Sequence, residues 1–416
     1  MEKKKEFYDV IVIGGGPGGM TSAIYCGRAR LKTLLIEKSL MGGLATYTSE
    51  IENYPGFPEG IGGTELMKLF DKQCRRFNVD VKLTDVKGFR VECDYKVVST
   101  FRVDYYAKAV IIATGGKPRL TSAKNEENFL YDKGISFCAT CDAAYYTDKT
   151  VMIIGSGDAA VEEGMFLTKF AKRVYVSVIH DEGIMDANKV AQEKALKNEK
   201  MTFVWNTIVN SFEGEERLSR VVLKNLKTGE LIPFDVDGCF LFIGYIPNTE
   251  IFKGLIDMNP KGYIITNEDM ETNLEGVYAV GDVRHKFLRQ VATAVGDGAI
   301  AGVMAEKFVE ESDYFQKEIM EAEGLVMVYV YNAVEAIDRE YLTRIEQFLK
   351  ETPDPIKLCR IDTYKSNRMA CKFGCVKTPC IVFIRNGKVE KIEYELDHIR
   401  QTVSELLNNS TYAKMM

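Results

Sequence analysis

After a charged opening, the chain places four consecutive apolar residues, Val10-Ile-Val-Ile13, with none of the alternation of a half-exposed strand. Such a run suits a strand buried on both faces of a parallel sheet. A glycine cluster follows, Gly14-Gly-Gly16-Pro-Gly-Gly19, and then a helix-like stretch from Met20 to Arg30. A second apolar run, Thr33-Leu-Leu-Ile36, ends in Glu37. Together they predict a βαβ unit. The arrangement recurs as strand Thr150-Val-Met-Ile-Ile154, turn Gly155-Ser-Gly157-Asp-Ala-Ala160, a helix from Val161 to Ala171 and a strand from Arg173 to Ile179. A late run, Val277-Tyr-Ala-Val-Gly281-Asp282, implies that the first domain resumes after the second ends.

From about Leu325 the pattern changes. Strand Leu325-Val-Met-Val-Tyr-Val330 precedes an amphipathic helix over Asp338 to Lys350 and a break at Pro353-Asp-Pro355. Strands Ile356 to Ile361 and Pro379 to Ile384 follow, the latter entering a hairpin turn at Arg385-Asn-Gly387, and a helix from Leu396 to Leu407 closes the chain. The acidic stretch Glu318 to Gly324 reads as a linker. The predicted class is α/β, with two Rossmann-like dinucleotide-binding domains of three-layer ββα type and a C-terminal α/β domain.

Length and composition narrow the functions. A chain of 416 residues accommodates about two to four domains. With 54 Lys+Arg against 60 Asp+Glu the formal charge is −6, which gives no general electrostatic case for nucleic acid. No secretory signal is visible, and no run approaches the roughly 20 apolar residues needed to span a bilayer. A cytoplasmic protein is expected. Its 10 cysteines are too dilute for a disulfide scaffold, so a disulfide pair would more reasonably be catalytic.

The candidate chemistry begins at the first turn. Gly14 permits a tight bend, Gly16 lets the backbone approach a pyrophosphate, Gly19 allows close helix–strand packing, and Glu37 can accept from a ribose. Gly155, Gly157 and Ala160 repeat the device, so two nucleotide-like ligands are expected, of which a flavin with a pyridine nucleotide is the commonest pair. Just upstream of the second turn stands Phe137-Cys138-Ala-Thr-Cys141-Asp142. A zinc site would need a second ligand pair, and His180, His285 and His398 are scattered, so no metal is expected. A dithiol–disulfide centre fits better, with Asp142 placed to manage protons and an inert pair as the bland alternative.

Over about Asp9 to Phe315 the chain resembles the low-molecular-weight thioredoxin reductase family. The resemblance rests on Gly14 to Gly19, Gly42-Gly43, Glu52-Asn53-Tyr-Pro-Gly-Phe-Pro58, Ala113-Thr-Gly115, Cys138 to Asp142 and Gly155 to Ala160 followed by Glu162-Glu163. It continues through Phe242 to Thr249, Gly276 to Asp282 and Arg289-Gln290. It implies FAD held by Gly14, Gly16, Gly19, Glu37, Gly43, Asn53, Asp282, Arg289, Gln290 and Val291. Cys141 would face the isoalloxazine, leaving Cys138 to exchange with a thioredoxin-like partner. The implied domains are 1–118 with 246–317 for FAD and 119–245 for the pyridine nucleotide, the latter rotating between two positions, in a homodimer.

One departure bears on the electron donor. Where the family carries arginines for the 2′-phosphate of NADPH, this chain reads His180-Asp181-Glu182-Gly-Ile-Met-Asp186-Ala187. A phosphate there would meet three carboxylates and no cation, which argues against NADPH. Asp181 or Glu182 could instead accept from the free 2′-OH of NADH. Some relatives in anaerobes take electrons from ferredoxin, and related dithiol oxidases pass them to oxygen. An FAD-bearing redox sensor or scaffold without turnover is the non-enzymatic alternative.

Residues 324–416 resemble a thioredoxin-like domain, through their element order and Val376-Lys-Thr-Pro379-Cys-Ile-Val-Phe-Ile-Arg-Asn-Gly387, with Pro379 where that fold carries a cis proline. The usual C-x-x-C is missing from Tyr331-Asn-Ala-Val-Glu-Ala-Ile-Asp338. Cys359, Cys371, Cys375 and Cys380 remain there, with Cys371 and Cys375 on one face if helical. They read either as a second redox centre or as ordinary apolar packing in a docking domain. Cys26, Cys74, Cys93 and Cys239 read as packing residues.

Overall fold

A computed structural model of the chain describes residues 3–48, 50–93, 95–130, 132–352, 355–365 and 367–415, with side chains up to residue 407. The break expected at Pro353 and Asp354 lies outside the described residues. The chain divides into two compact units, residues 1–306 and 307–416.

In the first unit, β1 (Lys4–Ile13), α1 (Pro17–Arg28) and β2 (Thr33–Glu37) form the expected βαβ unit. Val10, Ile11 and Val12 are fully buried, as the unbroken apolar run requires. α2 (Gly63–Arg76), β3 (Asp80–Leu83), β4 (Gly88–Glu92), β5 (Tyr95–Ser99) and β6 (Val103–Ile112) follow. The sheet runs β3-β2-β1-β6-β5-β4, with β1 parallel to both β2 and β6. Cys26 and Cys74 are buried here. Cys93 is not: it is exposed in the turn after β4, at φ 50°.

A short pair involving β7 (Gly116–Pro118) leads to β8 (Ile135–Ser136) and α3 (Ala139–Asp142). The second βαβ unit is β9 (Thr150–Ile154), α4 (Asp158–Leu167) and β10 (Arg173–Val178), followed by α5 (Lys189–Leu196) and β11 (Met201–Trp205). β12 (Thr207–Gly214), β13 (Leu218–Asn225) and β14 (Leu231–Asp235) form an antiparallel sheet of their own. β15 (Gly238–Leu241) completes the sheet β11-β10-β9-β15-β8, on which Cys239 is buried. β16 (Tyr245–Pro247) pairs with β7, and β17 (Val277–Ala279) returns to the first sheet beside β6. α6 spans Val291–Tyr314.

The second unit has a four-stranded sheet formed by β18 (Leu325–Tyr331), β19 (Ile356–Asp362), β20 (Cys380–Arg385) and β21 (Lys388–Glu393), ordered β19-β18-β20-β21. β18 is parallel to β19 and antiparallel to β20. Both faces of β18 are covered. Val326, Val328 and Val330 pack with Ile319, Met369 and Phe373, whereas Leu325, Met327 and Tyr329 pack with Ile345, Ile399 and Val403. These partners come from a helical turn over Phe315–Met320, α7 (Ala336–Glu351), α8 (Arg368–Lys372) and α9 (Ile399–Met415). The Thr378–Pro379 peptide bond is cis. No helix among the described residues is long and apolar enough to cross a membrane.

Candidate functional site

A cleft of about 2570 Å³ in the first unit is lined by both glycine turns and by the cysteine pair. Gly14, Gly16, Gly19, Glu37, Gly43, Asp282, Arg289, Gln290 and Val291 face it, as do Cys138, Cys141, Asp142, Gly155 and Gly157. Asn53 is outside the lining but donates to Gln290 Oε1 at 3.2 Å. Ala160 is buried beneath its turn, and Asp181 and Glu182 lie outside the cleft lining.

The first turn is shaped by close approach. Gly14 sits at φ +112°, and a Cβ on Gly19 would stand 1.9 Å from the Gly14 carbonyl oxygen. A Cβ on Gly16 would meet nothing within 4 Å, so its backbone borders open space. Gly19→Ala must therefore push α1 off β1. We expect it to cost about 1–3 kcal/mol, read as a lower unfolding midpoint together with reduced flavin content. Glu37 accepts from Gly15 N at 2.7 Å and from Ser39 N at 3.0 Å, which leaves a second lone pair on each oxygen for a ribose.

The far end of the same wall is built by ion pairs. Asp297 accepts from Gly281 N at 2.9 Å, Arg284 Nη1 at 2.9 Å and Lys286 Nζ at 2.8 Å, fixing the turn that presents Asp282. Burial pushes the Asp282 carboxyl above its ordinary range. Arg289 stacks its guanidinium 4.2 Å from the Tyr263 ring, and its buried Nε has no hydrogen-bond partner among the described residues. An open glycine turn, an acceptor for a ribose and an orphaned buried donor fit a dinucleotide with a polar isoalloxazine.

Cys138, the residue before α3, and Cys141, within it, form a disulfide. Ser136 organises this turn: its hydroxyl donates to Asp142 Oδ2 at 2.6 Å, and it accepts from Cys138 N at 3.1 Å. Desolvation pushes the Asp142 carboxyl upward, against the Ser136 hydrogen bond that lowers it. Gln290 Nε2 donates to Thr140 Oγ1 at 3.4 Å, and Thr140 Oγ1 lies 3.4 Å from Cys138 Sγ. The pair is thus joined to Gln290 and, through it, to Asn53. Behind the turn, Glu163 accepts from the Ala139 and Thr140 backbone amides. Burial raises its carboxyl, and its Oε2 has no partner among the described residues.

The second turn repeats the first. Gly155 lies at φ +137°, where a Cβ would stand 2.5 Å from Phe242 O, and Gly157 again borders open space. The acidic loop closes over this turn, with Ser156 Oγ donating to Asp186 Oδ2 at 2.7 Å and His180 Nε2 3.0 Å from the same oxygen. The expectation of no cation beside these acids needs correction. Lys227, from the turn after β13, pairs with Asp181 and holds its carboxyl below the usual range. It was invisible in the motif because the strand pair β12–β13 brings it from a distant position. Among the described residues, Glu182 and Asp186 nevertheless have no ion pair with a lysine or arginine.

Ser136, Thr140 and Glu163 were not singled out for a role from the sequence. Thr140 lies inside the C-x-x-C and Ser136 two residues before it, so their proximity to the cysteines was a usable signal; nothing in the sequence shows that Glu163 sits behind that turn. Residues 8–298 match the family model described as pyridine nucleotide-disulphide oxidoreductase. A thioredoxin reductase of Peptoclostridium acidaminophilum is 42% identical over 309 residues, covering 73% of this chain and 97% of that protein. That of Peptoclostridium litorale is 43% identical over 310 residues, with 73% and 98% covered. The solved thioredoxin reductase from Streptococcus pyogenes MGAS5005 is 40% identical with TM-score 0.69, covering 73% of this chain and 99% of that one. The chain belongs to the low-molecular-weight thioredoxin reductase family of pyridine nucleotide-disulphide oxidoreductases, flavoproteins that carry FAD.

Proposed function

We propose that the protein reduces a disulfide in a thioredoxin-like partner through Cys138 and Cys141, using electrons from NADH or reduced ferredoxin rather than NADPH. The supporting observation is the redox pair itself, in the cleft that the first nucleotide turn also lines and linked through Thr140 to Gln290 of the same lining. FAD, when bound, supplies the electron pair that opens the disulfide. Gly14, Gly16, Glu37, Asp282 and Arg289 would hold the dinucleotide, and Ser136 fixes Asp142 next to the cysteine turn through its hydroxyl. Cys138 then attacks the partner, and Cys141 resolves the mixed disulfide. The C-terminal unit is assigned a thioredoxin-like fold, on its strand order and on Pro379 at the start of β20. Tyr331 to Asp338 holds no cysteine, so that unit is no ordinary thioredoxin.

The donor assignment rests on Asp181, Glu182 and Asp186, which outnumber Lys227 around the position of a 2′-phosphate. Anaerobic mixing of the oxidised protein with NADH, NADPH and reduced ferredoxin, followed by flavin bleaching, tests it. NADPH should need at least about tenfold higher concentration than NADH, equivalent to about 1.4 kcal/mol of repulsion. Rapid bleaching by micromolar NADPH would overturn the charge argument, and bleaching by ferredoxin alone would remove NADH. Asp181→Arg with Glu182→Arg should raise NADPH affinity. If neither nucleotide's affinity changes, the loop is no nucleotide site. A sensor without turnover would bleach yet reduce no disulfide.

A further inference from the structure

Four cysteines of the C-terminal unit take no part in the chemistry above, and the structure separates them. Cys359 is buried on β19 and donates to the Glu318 carbonyl at 3.3 Å. Cys371 is exposed near the end of α8. The condition under which Cys371 and Cys375 would share a helix face is not met, because α8 ends at Lys372 and Gly374 turns the chain at φ +72°. That turn carries Cys375 to Cys380, the first residue of β20. The two thiols perturb each other electrostatically and pack on the same apolar cluster. They are unequal. Cys375 is half-buried and reachable, whereas Cys380 is fully enclosed.

The surroundings suit a macromolecular partner. β18 and β19 end at this edge, where Thr363 N donates to Tyr331 O at 2.8 Å and Ala333 N to Asp362 Oδ1 at 3.1 Å. Val334, Tyr364 and Val376 follow these strand ends or precede β20, and they are 57%, 70% and 83% exposed. Exposed apolar side chains beside a reachable thiol favour a protein disulfide over a small charged one.

We propose that Cys375 and Cys380 form a second dithiol–disulfide centre that exchanges with a protein disulfide, Cys375 attacking and Cys380 resolving. Interaction with Cys380 holds the Cys375 thiol below its ordinary range, and the same interaction together with burial pushes Cys380 up. The Cys375 thiolate attacks one sulfur of the incoming disulfide. That S–S bond breaks, and the displaced sulfur leaves with the bonding pair and takes up a proton. Cys380 then loses its proton, attacks the Cys375 sulfur, releases the second thiol and closes the Cys375–Cys380 bond. One disulfide becomes two thiols while one dithiol becomes a disulfide, so electrons and protons balance.

The test uses the full-length reduced protein equilibrated with graded ratios of oxidised to reduced glutathione, then acid quench, alkylation and tryptic digestion. Cleavage at Lys377 separates the two cysteines, so their disulfide appears as linked peptides 373–377 and 378–385. The linked pair should rise with the ratio in wild type and in Cys371→Ser, and vanish in Cys375→Ser. In Cys380→Ser, glutathione should stay on Cys375 at about tenfold or more its wild-type level, for lack of a resolving thiol. Separately alkylated peptides at every ratio in wild type, or linkage of Cys375 to Cys371 instead, would overturn the proposal. The wild-type digest decides even if Cys380→Ser misfolds. Neither donor nor flavin turnover enters the measurement, so its outcome is distinct from that of the donor experiment.

Discussion

Cys138→Ser is expected to lower disulfide turnover by about 10³-fold or more while leaving flavin reduction by the donor at its wild-type rate. The two halves of the reaction use the two sulfurs differently, and the variant removes only the one assigned to the partner. Ser136 still accepts the amide of residue 138 and still donates to Asp142, because both bonds involve atoms the substitution keeps. Thr140 also keeps its bond from Gln290. Misplacement of α3 therefore does not explain a loss. Stopped-flow bleaching reads the first half, and thiol release from an oxidised thioredoxin reads the second. Turnover at the wild-type rate would defeat the assignment of Cys138, and slow bleaching would place that sulfur on the flavin side.

The parts of this molecule legible in its sequence are those where one short segment contains its own physical reason. The run 10–13 is buried because it is apolar on both faces, and Gly14 and Gly19 are required because the same few residues fold back on each other. The cysteine pair is likewise local. Four features were not legible, each because its partner is remote or a single dihedral intervenes. Lys227 reaches Asp181 only through the β12–β13 hairpin. Glu163 meets the Ala139 and Thr140 amides only once α4 packs behind α3. For Cys93 and Cys375 the cause is smaller: the chain turns at φ 50° at Cys93 itself, beyond the strand expected to bury it, and at +72° at Gly374, before a helix could carry Cys371 and Cys375 on one face. Helical spacing predicts a shared face only while the helix continues.

Asp142→Asn should cut disulfide turnover by about 10²-fold at mildly acidic pH while making the fold more stable at neutral pH. Both effects follow from a carboxyl whose ionised form is disfavoured by desolvation. Asp142 keeps its proton to higher pH than an ordinary aspartate, so it can deliver that proton to a departing sulfur. Wild-type turnover should fall as pH rises through this raised value, and the gap to the Asn variant should narrow with it. For stability, the folded value lies above the unfolded one. The penalty is absent below the unfolded value, grows between the two, and is complete above the folded value. Asn removes the charge but keeps an oxygen to accept from Ser136, so the variant gains stability above that window and none below it. Denaturant unfolding across the pH range, run beside the turnover profile, gives both readings. A variant that loses activity and stability together would show a packing role. An unchanged pH profile with full turnover would show that Asp142 moves no proton. Lost turnover at mildly acidic pH with gained stability at neutral pH identifies a carboxyl held in an unfavourable environment for the reaction.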